Sequence, residues 1–163
     1  MGPKDVIRNL MESNDFVLKS YLHDLSDGDL LIRPGPNANV IAWQLGHLIQ
    51  SELQLLKIFP GATTVELPAG WEKQHGKENA GKDPPVGFQT KAEYMDLYEK
   101  VRKNSHRVLN TLSDSDLDKP TTGRFASIAP TWGAMFVLIA NHPMMHAGQI
   151  AVLRRKVNKP IVI

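Results

Sequence analysis

Apolar residues Val6, Ile7, Leu10, Met11, Val17, Leu18, Tyr21 and Leu22 recur at spacings of three and four, one face of a helix over about residues 4–23. Residues 24–38 interrupt the pattern with Gly28, Pro34, Gly35 and Pro36, and Asn37 or Asn39 is the expected N-cap of the next helix. That second helix spans about 39–59, its apolar face centred on Ile41, Leu45, Leu48 and Phe59. Residues 60–89, rich in Pro and Gly, far exceed the roughly two to eight residues that usually join helices, so they predict a crossover or a lid, anchored by Trp71 and Phe88. A third helix opens with Thr90 and Glu93 at capping-box spacing and continues through Tyr94, Tyr98, Val101, Ser105, Val108 and Leu112, its other face strongly charged. After a loop at 113–129, an uncharged fourth helix runs from Pro130 to about 156, and only the tail at 161–163 is β-prone. Four amphipathic helices of about 20 residues without a parallel-strand signal predict an all-α four-helix bundle.

The length of 163 residues fits one domain over 1–163. Hydrophobic residues at 42% and charged residues at 22% exclude a disordered or collagen-like chain. The net charge is +2 with signs alternating along the chain, which argues against nucleic acid as a partner. The chain has no cysteine, so disulfides, thiolate nucleophiles, thiolate metal ligands and iron–sulfur clusters are all excluded. Any metal must be held by His, carboxylate or amide. A cysteine-free chain whose first residues include Asp5, Arg8, Glu12 and Asp15 reads as cytoplasmic, with no signal peptide. Residues 131–153 match the length of a membrane span, but Asn141, His142, Pro143, His146 and Gln149 would lie mid-bilayer. A helix buried in a soluble bundle is the expected state, with no membrane partner.

The candidate chemistry sits in that fourth helix. His142 and His146 are about 40° apart on a helical wheel and share the core-facing stripe with Met135, Leu138, Ile139, Gln149 and Leu153. Two His at i and i+4 are how one helix offers two nitrogens to a divalent metal, and two polar core residues that merely hydrogen-bond produce the same pattern. No glutamate stands between them, which excludes zinc-protease chemistry. Pro143 either kinks this helix, freeing the carbonyl of Ile139, or starts a new one capped by Asn141. A third ligand must come from elsewhere. His23 ends helix 1, His75 is in the polar connection and His106 is on the wet face of helix 3, which leaves His47, at the edge of helix 2's apolar face, with a surface or capping role as its alternative. Glu52 projects from the middle of that face and reads as a paired structural carboxylate, with Arg33 a candidate partner, and secondarily as a candidate base. Ala140, Met144, Ala147, Gly148 and Ala151 line the back of helix 4 and fit either a homodimer contact or packing against helix 1.

The segment RPGPNANVIAWQLGHLIQSE over 33–52, followed by NHPMMHAGQIAVLRR over 141–155, resembles the DinB-like, YfiT-related family of small metal-binding four-helix bundles. The resemblance covers nearly the whole chain. It implies that His47, His142 and His146 together hold a divalent metal, and that the bundle is up-up-down-down with a long crossover between helices 2 and 3 and is a homodimer. Three neutral imidazoles leave such a metal an open position, where water or a thiol would serve as nucleophile. The resemblance accordingly implies a metal-dependent transferase acting on small electrophiles with a low-molecular-weight thiol such as bacillithiol, mycothiol or glutathione. A metal-dependent hydrolase and a non-catalytic metal or small-ligand binder are the alternatives. Gln44, Ser51 and Gln149 are candidates for orienting substrate or the histidines. Zinc or nickel is the expected ion, with iron, cobalt or copper also compatible with imidazole ligands.

Overall fold

The computed structural model describes residues 1–81 and 87–162. Four long helices carry it: α1 (Pro3–Leu22), α2 (Ile41–Leu56), α4 (Lys91–Thr111) and α5 (Trp132–Lys156), with a single-turn α3 (Trp71–Gln74) inside the long connection. Among the described residues there is no strand, only an isolated bridge between Pro120 and Thr131, and 161–162 are irregular. The fold class is therefore all-α.

Local chemistry explains the helix ends. Pro3 occupies the first position of α1, where its missing N–H costs nothing. At α4 the Thr90 hydroxyl accepts from the Glu93 N–H while the Glu93 carboxylate accepts from the Thr90 N–H, the capping box expected from the sequence. Thr131 caps α5 through the Ala134 N–H. Neither Asn37 nor Asn39 caps α2: Val40 holds that position without a side-chain bond, Asn37 turns the chain at φ 60°, and Asn39 Oδ1 accepts from Gly81 N–H. The side chain of Asn39 is spent tying the long connection to the start of α2.

Cross-helix hydrogen bonds fix the directions. Asn14 reaches the Ala140 carbonyl and Arg154 reaches the Tyr21 carbonyl, so α1 and α5 run parallel. Arg8 meets Asn110 while Tyr98 meets Asp15, so α1 and α4 are antiparallel. Gln44 pairs with His146 and Phe59 with Trp132, so α2 and α5 are antiparallel. The order is thus up-down-down-up, a correction to the expected up-up-down-down. The long crossover stands where expected because α2 and α4 are the parallel neighbours, and a parallel pair requires the chain to travel back along the bundle.

The crossover is fastened at several points. Trp71 is buried and its Nε1–H donates to the Gly46 carbonyl at 3.2 Å, while Trp43 Nε1–H donates to the Gly76 carbonyl at 3.3 Å. Asn104 on α4 accepts from Thr63 N–H and donates to its carbonyl. α5 is long and apolar enough to cross a membrane, with a mean hydropathy of 1.2 and 44% of that window buried, but α1 lies along it. Ala140 and Ala147 are fully buried. Packing against α1 therefore accounts for that part of the small-residue patch.

Candidate metal centre

Helix register and one antiparallel contact assemble the site. On α5, His142 and His146 stand one turn apart, and on α2 His47 faces them across the groove. The ligand-capable nitrogens of His47, His142 and His146 all lie within 4.8 Å of one another. The Nε2 atoms of His142 and His146 are 3.3 Å apart. Two nitrogens each about 2.0–2.1 Å from one tetrahedral cation are separated by about 3.3–3.4 Å, so this spacing fits a shared ion. Pro143 does not start a new helix: α5 is continuous through it.

Two of the three rings are oriented by a neighbour outside the cluster. Gln44 donates through Nε2 to the Asn39 carbonyl at 2.9 Å, which fixes its amide so that Oε1 faces His146 Nδ1 at 3.0 Å. His146 therefore carries its proton on Nδ1 and presents the Nε2 lone pair to the centre. The His47 ring stacks on Trp43 with centroids 4.9 Å apart and planes within 7°, and its Nε2 lies 3.4 Å from Ser51 Oγ. Electrostatics keep the rings unprotonated. Burial, followed by the neighbouring histidines, lowers His142 to about 4 and His146 to about 3. His47 is also lowered, by burial and then by the charge of Lys77. Neutral imidazole is the form that binds a metal.

His47, His142 and Ser51 line a cleft of about 1580 Å³ whose other walls are the crossover and residues 124–128. Gln44 and Ser51 are beside the histidines, as the helical stripes predict. Gln149 is not: it is exposed, although Leu153, one turn further along the same stripe, is buried. Glu52 is buried and paired, but with Arg102 of α4 at 3.1 Å and not with Arg33. Arg102 lies beside the apolar stripe of α4 and passes for part of its charged face, so periodicity could not nominate it. His75, read from the sequence as a loop residue, is 1% exposed. Its Nδ1–H donates to the Trp71 carbonyl at 3.1 Å and its Nε2 accepts from the Tyr94 hydroxyl at 2.8 Å. The available signal was Trp71 four residues before it, in a sequence able to form one helical turn.

A family model described as the DinB superfamily matches residues 17–150. Among solved structures, the chain is similar to the crystal structure of a conserved protein from Enterococcus faecalis, with a TM-score of 0.68 at 14% identity over 98% of this chain and 99% of that one. Likeness at that identity shows the fold. No curated protein matches the sequence significantly.

Proposed function

The chain belongs to the DinB superfamily, and from that premise we propose that His47, His142 and His146 hold one divalent cation and that the protein is a metal-dependent thiol S-transferase acting on small electrophiles. The convergence of three neutral imidazoles within 4.8 Å, beside an open cleft, carries this reading. A cation held there supplies Lewis acidity that favours the thiolate form of a bound thiol. Gln44 and Trp43 keep the His146 and His47 rings in their ligating orientation, and Ser51 offers a hydroxyl beside His47. In the transfer, the thiol sulfur forms the new bond to carbon, the bond to the leaving group breaks with its electron pair, and the thiol proton passes to solvent.

One observation favours a thiol over water. Among the described residues, the side chains outside the cluster that hydrogen-bond the three rings are Gln44 and Ser51, both neutral, whereas hydrolysis gains from a positioned acid or base that relays protons. The setting we propose is the cytoplasm, where thiols stay reduced. We also propose a single-domain chain that pairs as a homodimer through the outer face of α1 and α5, where Phe16, Val137 and Met144 are exposed. A light-scattering mass near the 18.2 kDa of one chain would rule the dimer out.

The test of the metal reading is elemental analysis of untagged protein beside His142→Ala and His146→Ala. About one metal per chain in the parent and little in either variant supports it. If the parent binds an added divalent ion no better than the variants, the histidines are structural and the transferase reading fails with them. In metal-loaded parent, formation of a thioether from a thiol and an alkylating electrophile, lost in both variants, supports transfer.

A further inference from the structure

The same cleft holds two polar groups that the histidines do not use. Arg124, just before α5, is the first. Its Nη2 donates to Gln54 Oε1 at 2.7 Å and its guanidinium lies over the Phe125 ring at 4.6 Å. Arg8, Arg102 and Arg154 each meet a carboxylate, whereas the hydrogen-bond partner of Arg124 is a neutral amide. The guanidinium is thus held on the cleft wall by one donor and a stacking contact, with further donors uncommitted among the described residues. Gln50 is the second. Its Oε1 is buried behind the cleft lining with no hydrogen-bond partner, a state that costs free energy and that a turn of the amide toward the cleft would relieve if a ligand donated to it.

Register on α2 sets the spacing. Gln50 is three residues beyond His47 and Gln54 is seven, which at about 1.5 Å per residue places them about 5 Å and about 10 Å farther along the helix. All three line the cleft. On the facing crossover wall Lys73 and Lys77 stand among Glu72 and Glu78, and Lys57 lines the cleft one turn beyond Gln54.

We infer that the thiol accepted here carries a carboxylate remote from its sulfur, at a separation comparable to the roughly 10 Å between His47 and Gln54 along α2, held by Arg124, with an N–H or O–H donor between the two that faces Gln50 Oε1. A cysteine-containing peptide acid belongs to this class, and a thiol without a carboxylate does not. The planar guanidinium fork suits a carboxylate by two-point contact. The inference rests on the thiol reading above.

The experiment uses cobalt-loaded protein and follows thiol binding by the cobalt–sulfur absorption band. The probes are 3-mercaptopropionate, 8-mercaptooctanoate and their primary amides, the eight-carbon acid being long enough to span the gap. The expected result is about tenfold tighter binding of 8-mercaptooctanoate than of its amide, with no such preference for the three-carbon pair. Arg124→Met should remove the preference at an unchanged melting temperature, since Arg124 is exposed. Gln50→Leu should weaken glutathione, which has amide N–H groups, and leave 8-mercaptooctanoate unaffected. Equal affinity of acid and amide in the parent, or a preference that survives Arg124→Met, overturns the carboxylate assignment while leaving the thiol reading intact. A cobalt spectrum unmoved by every thiol overturns both.

Discussion

Replacing Arg102 by methionine removes one buried guanidinium from five acceptor oxygens at once. It donates to both oxygens of Glu52 at 3.1 and 3.2 Å, to Asp15 at 3.1 Å, and to the carbonyls of Ile139 and Met11 at 3.3 Å each. The side chains of Arg102 and Glu52 are both 4% exposed. Removing one partner of such a pair costs about 3–5 kcal/mol, because the other charge stays buried. The Ile139 carbonyl gives that loss a recognisable component. Proline at 143 has no N–H, so the carbonyl four residues back lacks its helical donor, and Arg102 Nη1 stands in. Pro143→Ala restores the N–H. In a double-mutant cycle measured by urea unfolding at pH 7, Arg102→Met in the Pro143→Ala background should therefore cost about 1 kcal/mol less than in the parent.

Glu52 adds a pH signature to the same variant. Burial already raises its carboxyl above the usual range against the opposing pull of Arg102 and Ser105, and loss of Arg102 raises it further. A carboxyl that holds its proton more tightly folded than unfolded gains stability as pH falls through its folded pKa. The deficit of Arg102→Met is thus largest at pH 7 and above and shrinks toward pH 5. Additivity within about 0.5 kcal/mol in the cycle would refute the role given to the Ile139 carbonyl. A deficit that does not change with pH would refute the burial of an ionised Glu52.

Gln44→Ala should lower metal affinity about 10–100-fold with the three histidines intact, read by competition with a chromogenic chelator. Gly46→Ala places a Cβ 1.9 Å from His75 Cδ2, so it should cost about 2–3 kcal/mol and release Trp71, seen as red-shifted tryptophan fluorescence and cleavage within 71–76. His75 is lowered to about 4 by burial, so the unfolded chain binds its proton first and stability falls as pH drops from about 6.5 toward 4. His75→Gln should reduce that slope by about 1 kcal/mol per pH unit in urea titrations of metal-free protein.

The four long helices were legible because each must bury one face, and a 3.6-residue period records that face in the order of the residues. Caps were legible where the chemistry is local: Thr90 and Glu93 act across three residues, and His142 and His146 share a stripe whatever surrounds them. His47 could be read only as a residue at the border of an apolar face, since its half-buried position depends on what stands opposite. Tertiary structure decided the rest. The antiparallel approach of α2 to α5 brings His47 to the other two histidines, while Gln149 stays in solvent, though all lie on equivalent stripes. The partner of Glu52 is 50 residues away on α4, where Arg102 resembles its charged neighbours until the helices meet. His75 and Gly46 are matched by shape across 29 residues, and no periodicity encodes a ring lying where a Cβ would be. Local hydrogen bonding and amphipathic burial are properties of short segments and so are written in sequence. Direction, cross-helix pairing and the cleft arise from how those segments satisfy one another's buried groups.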